Sequence, residues 1–206
     1  MVIKHTVFAL DCSESMLQRD YFPSRLGGAA LVTRTLHQDL LQKSHTESIG
    51  VVAFGSEAEV VCPLTSPNKC EDLREAVESL SGMGKTNLSL GLMLAAKLLE
   101  QSGINSHAQI LLLSDGWHDE GRLDPVDASN KIAAMGITIG CIGIAGDPGS
   151  VDVNRLQKIA SPTKTGRRYC FIKNAFAMGA LERSSVIATD GILTAGIFSE
   201  GYRRIQ

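Results

Sequence analysis

The fold of this chain is decided by the stretch Val7-Phe8-Ala9-Leu10-Asp11-Cys12-Ser13-Glu14-Ser15. Its first four residues form an uninterrupted apolar run, which is typical of a strand that is buried on both faces of a parallel sheet. One carboxylate and two hydroxyls then follow at alternate positions, where the strand ends. Oxygen donors are the ligands that Mg²⁺ prefers, and ligands of open α/β sheets gather at the carboxyl ends of the strands. The stretch therefore predicts a buried parallel strand with a metal-binding loop directly after it.

Along the rest of the chain, apolar runs of strand length alternate with segments of helical period. This alternation predicts a Rossmann-like α/β fold, an open, mostly parallel twisted sheet with helices on both faces. One antiparallel edge strand is expected at Glu59–Cys62, because only a short turn separates it from the strand before it. The predicted strands are Thr6–Leu10, Ser48–Phe54, Glu59–Cys62, Ala108–Leu113, Ile137–Ile144 and Arg168–Ile172. The predicted helices are Pro23–Lys43, with Pro23 in its first turn, Pro67–Leu80, Leu88–Gln101, Pro125–Met135, Val151–Ala160 and Ala175–Arg183.

Composition and charge argue against several classes of protein. The chain has 206 residues, enough for one domain with a full core, and its net charge of -2 argues against a general nucleic-acid binder. Neither a membrane-spanning apolar run nor a secretion signal at Met1–His5 is present in the sequence, so a cytoplasmic protein without a membrane partner is expected. The five cysteines are odd in number and form no CxxC motif, which favours neither a disulfide framework nor a zinc site. Cys141 and Cys170 lie in apolar runs and are expected to be core thiols.

Three loops at the carboxyl edge of the predicted sheet carry oxygen donors. The first holds Asp11, Ser13 and Ser15, the second holds Thr86 just before a helix, and the third holds Asp115 directly after a strand. Two carboxylates nearly balance the charge of a divalent cation, and three hydroxyls add neutral ligands toward the six oxygens that Mg²⁺ requires. The three loops together therefore predict a Mg²⁺ site, with Mn²⁺ or Ca²⁺ as substitutes.

At this point the chain resembles the von Willebrand factor A (vWA) domains. Their metal-ion-dependent adhesion site is written Asp-x-Ser-x-Ser, a distant Thr and a distant Asp, and these positions are filled here by Asp11-Cys12-Ser13-Glu14-Ser15, Thr86 and Asp115. The site is therefore expected to be intact, in a vWA domain over residues 1–183 that is followed by a C-terminal extension over 184–206. The intact site and compact length are similar to stand-alone bacterial vWA proteins, including those of the tellurium-resistance type. Tyr21–Leu26 also resembles the vWA domain of the proteasomal ubiquitin-receptor subunit.

The resemblance implies a function as a protein-binding module rather than an enzyme. In such domains the metal keeps one coordination position for an Asp or Glu side chain of a partner protein. The same loops would supply a rim around the ion, and the candidates for contact with a partner are Glu14, Trp117, His118 and Asp119. An adaptor that captures an acidic side chain through Mg²⁺ is therefore the leading expectation. Movement of the last helix, Ala175–Arg183, on filling of the metal site would follow the behaviour of some vWA domains.

Other interpretations of the same residues stay open at this stage. A metal-assisted hydrolase or phosphotransferase would use the same ion, with His118 or Asp119 as base, and a structural scaffold would carry a vestigial site. Asp11, Ser13 and Ser15 are also residue types that form turns and cap helices. Gly84-Lys85-Thr86 resembles the end of a phosphate-binding loop, but the glycine that the motif needs at position 79 is Ser. Cys12, inside the metal loop, is either a small core side chain or a redox-sensitive thiol.

Overall fold

A central six-stranded sheet organises the molecule. The computed structural model describes residues 5–42, 48–69, 75–77, 79–101, 103, 107–164 and 166–173. The strands are β1 (His5–Asp11), β2 (Ser48–Phe54), β3 (Ala58–Thr65), β4 (Ala108–Ser114), β5 (Thr138–Ile144), β6 (Pro162–Thr163), β7 (Gly166–Arg167) and β8 (Tyr169–Ile172). The helices are α1 (Arg25–Gln42), α2 (Leu88–Gln101), α3 (Pro125–Ala134) and α4 (Val153–Ile159), with 3₁₀ turns at Glu14–Leu17, Pro67–Lys69 and Pro148–Ser150.

The strand order of the sheet is β3-β2-β1-β4-β5-β8, and β6 pairs only with β7 in a separate two-stranded hairpin. All neighbours in the large sheet are parallel except β3, which runs antiparallel to β2 at the edge. This confirms the predicted fold class. Strand β1 lies in the middle, where Leu10 is level with Ala53 of β2 and Leu113 of β4. The residues that follow β1 and β4 are consequently neighbours at one edge of the sheet.

Helices cover both faces because alternate residues of each strand point to opposite sides. Phe8 and Leu10 belong to the core on the α1 side, whereas Val7 and Ala9 belong to the core on the α2 side. All four of these side chains are fully buried. The predicted stripe of α2 is buried against the second of these cores, and it consists of Leu88, Leu92, Ala95, Ala96 and Leu99. Packing in these two cores positions the loops at the carboxyl edge of the sheet.

Several predicted boundaries differ from the observed ones, and each difference has a local cause. Helix α1 begins at Arg25, not at Pro23, because the Ser24 hydroxyl accepts a hydrogen bond from the Gly27 amide (3.0 Å) and so caps the helix. Helix α4 begins at Val153 because the Asp152 carboxylate caps it through the Arg155 amide (3.0 Å). Strand β3 is longer than predicted and includes Pro63, which an edge strand tolerates.

Two predicted helices fall wholly or partly outside the described residues. Within 67–80, the structure describes the 3₁₀ turn Pro67–Lys69 and helical residues at 75–77. The predicted helix Ala175–Arg183 and the extension 184–206 lie outside the described residues. Among the residues that are described, none of the helices is long and apolar enough to cross a membrane.

Candidate metal centre

Three loops converge at the carboxyl edge of β1 and β4, and backbone hydrogen bonds join them. The first loop (residues 11–15) and the second (83–87) are linked by the Met83 amide, which donates to the Cys12 carbonyl (2.7 Å), and by the Glu14 amide, which donates to the Gly84 carbonyl (2.8 Å). The second loop and the third (114–119) are linked by the Asp119 amide, which donates to the Thr86 carbonyl (3.0 Å). The structure thus brings together the three loops that the sequence analysis selected.

Asp11 lies at the end of β1 and is fully buried. Its Oδ1 accepts a hydrogen bond from the Ser13 amide (2.9 Å), and its Oδ2 accepts one from the Ser114 hydroxyl (2.5 Å). Burial, followed by the nearby charge of Asp115, raises the pKa of Asp11 to about 7. The ionised form is therefore disfavoured in this place unless a cation compensates its charge.

Two of the three hydroxyls proposed as ligands are close together, and the third lacks a hydrogen-bond partner among the described residues. Ser13 Oγ and Ser15 Oγ are 3.1 Å apart. Thr86 is fully buried, and its Oγ1 has no hydrogen-bond partner among the residues that the structure describes. A buried hydroxyl without a partner costs about 1–3 kcal/mol. A cation ligated by Thr86 Oγ1 would remove this cost, so the donor set fits a hard metal ion.

Asp115 is also fully buried, but it already has a cationic partner. Its Oδ2 accepts a hydrogen bond from Arg25 Nη1 (2.8 Å), and its Oδ1 accepts one from the Trp117 amide (3.2 Å). Burial raises the pKa of Asp115, while hydrogen bonds from Ser15 and Trp117 and the charge of Arg25 act in the opposite direction. Asp115 therefore faces the first loop as well as α1.

Sequence reasoning missed two residues of this centre, Arg25 and Ser114. Arg25 is the first residue of α1, where a positive charge opposes the helix dipole. That unfavourable position was the sequence feature that could have indicated a contact of this arginine with acidic groups outside the helix. Nothing in the sequence pointed to Ser114, because a serine at the end of a strand commonly has no role in a neighbouring site.

The four candidate rim residues do not all face the same way. Glu14, Asp119 and Trp117 are exposed, the last at 46%, and Trp117 Nε1 donates to the Ser150 carbonyl (3.0 Å). His118 is half-buried, and its Nδ1 accepts a hydrogen bond from the Leu88 amide at the start of α2 (3.3 Å). Burial, together with Arg155, lowers the pKa of His118. His118 is therefore turned toward α2, and Glu14, Trp117 and Asp119 are the exposed members of the four candidate rim residues.

The structure also decides between the two interpretations of Cys12. The side chain is fully buried and its Sγ lies 3.7 Å from the Leu10 carbonyl. Burial raises the pKa of the Cys12 thiol to about 12. Cys12 is thus a protonated core side chain, and the idea of a redox-sensitive thiol does not fit. Cys141 and Cys170 are buried as expected.

Hydroxyl oxygens would outnumber carboxylates among the ligands of the cation. Among the described residues, no group of three or more His, Cys, Asp or Glu side chains is arranged to hold a metal. Asp11 and Asp115 are the buried carboxylates of the three loops and carry two negative charges when both are ionised, and the outer ion pair of Asp20 with Arg25 adds no net charge. This charge matches that of one divalent cation.

Comparison with known proteins identifies relatives along most of the chain. Residues 6–118 match the family model described as von Willebrand factor type A domain. The uncharacterized protein YfbK of Escherichia coli (strain K12) is 26% identical over 145 residues, or 67% of this chain. The match covers 24% of YfbK, so the chain spans about a quarter of the length of that protein.

Solved structures of low identity share the fold. BatB from Bacteroides thetaiotaomicron is 22% identical with a TM-score of 0.67, and the match covers 87% of this chain and 96% of BatB. The SpRpn10 VWA domain is 16% identical with a TM-score of 0.64, covering 83% of this chain and 88% of that domain. The manganese-loaded TRAP protein of Plasmodium vivax is 16% identical with a TM-score of 0.64, covering 85% and 70%.

Proposed function

The chain belongs to the von Willebrand factor type A domain family, and on that premise we propose that it is a Mg²⁺-dependent module that captures an acidic side chain of a partner protein. Domains of this family often mediate protein–protein interaction and metal-dependent binding. The proposal extends this coarser statement to a particular ion, a particular ligand set and a particular kind of partner.

The observation that carries the proposal is the fully buried hydroxyl of Thr86, for which no described residue supplies a hydrogen-bond partner. It lies in the loop that is tied to the other two, and those loops supply further oxygens. The residues that would hold the ion are Asp11, Ser13, Ser15, Thr86 and Asp115. Oxygen donors alone favour Mg²⁺, with Mn²⁺ or Ca²⁺ as substitutes. The manganese-loaded state of the TRAP protein supports a divalent cation in this fold.

Bound there, the ion would supply an electrophilic centre for one more anionic oxygen. The charge of the ion is balanced by the carboxylates around it, while three of the five proposed ligands are neutral hydroxyls. A carboxylate from outside is the ligand that such a centre attracts most strongly. Glu14, Trp117 and Asp119 lie in the same loops and are exposed, so they would contact the protein that carries the carboxylate. Trp117 is the residue type that most often anchors such contacts.

The contacts of the site favour binding over hydrolysis. His118, the candidate base of a hydrolase, accepts a hydrogen bond from the Leu88 amide. Asp119, the other candidate, accepts one from the Thr86 amide (3.3 Å). Both side chains therefore support the second loop and the start of α2. We accordingly propose an interaction module, and not an enzyme, as the function of this site.

Calorimetric titration of Mg²⁺ into the wild type and the Asp11→Ala variant tests the metal assignment. We expect Mg²⁺ affinity to fall at least tenfold in Asp11→Ala, since a buried carboxylate beside the ion is worth about 1.4 kcal/mol or more. Asp127→Ala, which removes an exposed carboxylate from α3, is the matched control and leaves the affinity unchanged. Equal affinities in wild type and Asp11→Ala would refute the assignment.

The kind of partner is tested with the immobilised protein. Proteins retained in Mg²⁺ should be released by EDTA and by soluble poly-glutamate, but not by poly-glutamine, which lacks the carboxylates. Retention that survives EDTA would favour a scaffold with a vestigial metal site.

A further inference from the structure

Arg25 is a buried cation placed directly beside a proposed metal ligand. The residue is 3% exposed, and its Nη1 donates to Asp115 Oδ2 (2.8 Å). It is also the first residue of α1, where the helix dipole disfavours a positive charge. A buried arginine at that end of a helix requires compensation from several acceptors.

The compensation comes from the segment between the first loop and α1. Arg25 Nε and Nη2 donate to the two carboxylate oxygens of Asp20, each at 2.8 Å, and Nη2 also donates to Gln18 Oε1 (2.8 Å). Such a two-pronged pair fixes both the position and the direction of the guanidinium. The side chain of Asp20 is itself held, because its Oδ2 accepts a hydrogen bond from the Gly146 amide (3.2 Å).

Arg25 and a metal ion would draw on the same carboxylate. A guanidinium on Asp115 Oδ2 neutralises part of the negative charge that a divalent cation needs, and it repels that cation. Because the pair is buried, salt screens this repulsion only weakly. Asp20 has the opposite effect, because its negative charge partly neutralises the guanidinium and so weakens the repulsion of the metal ion.

We propose that Arg25 is a built-in counter-cation for Asp115, which stabilises the metal-free site and weakens its affinity for Mg²⁺. This inference rests on the proposed function. Because the metal-free site is stabilised, the protein alone binds Mg²⁺ weakly. A carboxylate of the partner protein, added as a further ligand, then raises the affinity for the ion. The negative charge of Asp20 partly neutralises Arg25 and so reduces the repulsion between Arg25 and the ion.

The alternative role for Arg25 is purely to orient Asp115, and the two roles predict opposite changes in the Mg²⁺ affinity of Arg25→Gln. If Arg25 only orients Asp115, then Arg25→Gln and Asp20→Asn both weaken Mg²⁺ binding. If Arg25 is a counter-cation, Arg25→Gln removes a repelling charge and strengthens binding, whereas Asp20→Asn removes a favourable charge and weakens it.

The experiment is a calorimetric titration of Mg²⁺ into wild type and variants at low and high salt, with melting temperatures in EDTA. We expect Arg25→Gln to bind Mg²⁺ roughly tenfold more tightly, the size of a partly screened interaction between close charges. Its melting temperature in EDTA should fall by about 5–10 °C, because a buried carboxylate is left without its partner. Asp20→Asn should bind several-fold more weakly, and Arg25→Lys, which keeps the charge, should stay close to wild type.

Arg34→Gln is the matched control. It removes the same charge from an exposed position of the same helix, and we expect its Mg²⁺ affinity to stay within about twofold of wild type. If Arg25→Gln does not fold, Arg25→Lys still gives a decision, because it keeps the charge but loses the two-pronged geometry of the guanidinium. A counter-cation role predicts Mg²⁺ affinity close to wild type for this variant, and clearly weaker binding would overturn that role in favour of a purely orienting one.

The failures are distinguishable. Unchanged or weaker Mg²⁺ binding by Arg25→Gln, or unchanged or tighter binding by Asp20→Asn, would overturn the counter-cation role while leaving the metal site intact. No measurable Mg²⁺ binding by the wild type would overturn the proposed function, and the role of Arg25 with it.

Discussion

Replacing Thr86 with Val should have opposite effects on stability in the absence and in the presence of Mg²⁺. The substitution keeps the shape of the side chain and removes only the buried hydroxyl, which forms no hydrogen bond within the described part of the chain. In EDTA the variant escapes a cost of about 1–3 kcal/mol. For a chain of this size, 1 kcal/mol corresponds to about 2–4 °C in melting temperature. We therefore expect Thr86→Val to melt a few degrees above the wild type in EDTA.

In Mg²⁺ the order should reverse. At a free concentration of one thousand times its Kd, the ion stabilises the wild type by about 4.1 kcal/mol, which exceeds the roughly 1–3 kcal/mol that the variant gains in EDTA, and the variant loses most of the stabilisation by Mg²⁺ with its ligand. The assay is thermal unfolding in EDTA and across a series of Mg²⁺ concentrations. Thr33→Val is the matched control: Thr33 is equally buried, but its hydroxyl donates to the Ala29 carbonyl (2.9 Å), so Mg²⁺ should stabilise this variant as much as wild type. A Thr86→Val protein that is destabilised in EDTA, or that gains as much from Mg²⁺ as the wild type, would show that the Thr86 hydroxyl is not a metal ligand that lacks a partner in the metal-free protein.

Three further outcomes are expected. The pKa of Asp11 in the metal-free fold is raised to about 7, so a proton competes with the ion increasingly as the pH falls. Mg²⁺ affinity measured by titration between about pH 5 and 9 should level off above about pH 8 and fall roughly tenfold per pH unit below about pH 6, and a flat profile would contradict this. Trp117→Ala should weaken retention of the EDTA-releasable partner about tenfold or more while Mg²⁺ affinity stays unchanged, and loss of both would show that Trp117 supports the loop instead. Gly91→Ala should lower the free energy of unfolding in urea by about 1–3 kcal/mol although alanine favours helices, because its Cβ would collide with the buried ring of Phe54; a stabilised variant would show that α2 has room to move.

Much of the fold was predictable because its signals are local. The apolar run of β1 and the three- and four-residue spacing of Leu88, Leu92 and Leu99 in α2 each identify an element without reference to the rest of the chain. The convergence of the three loops was also predictable, since parallel strands end at a common edge. The start of α1 was wrong because Pro23 was taken as a first-turn residue, whereas Ser24 supplies the cap.

The polar interior of the site was less predictable. The contact of Arg25 with Asp115 joins residues that are 90 positions apart, and that of Ser114 with Asp11 joins residues 103 positions apart. Neither pair has a spacing rule, because the contact depends on how β1, β4 and α1 are placed together. The burial of Cys12 likewise depends on which way one side chain turns within a loop. These features required the three-dimensional structure.

The proposed metal site between the three loops can be tested directly by locating the ion. Crystals of the wild-type protein grown with Mn²⁺, measured for anomalous scattering at the manganese edge, would show where a divalent cation binds. We expect a peak between the three loops, within coordination distance of the hydroxyls of Ser13, Ser15 and Thr86, and no such peak in Asp11→Ala crystals. A wild-type map without a peak between these loops, or with manganese bound elsewhere, would contradict the proposal.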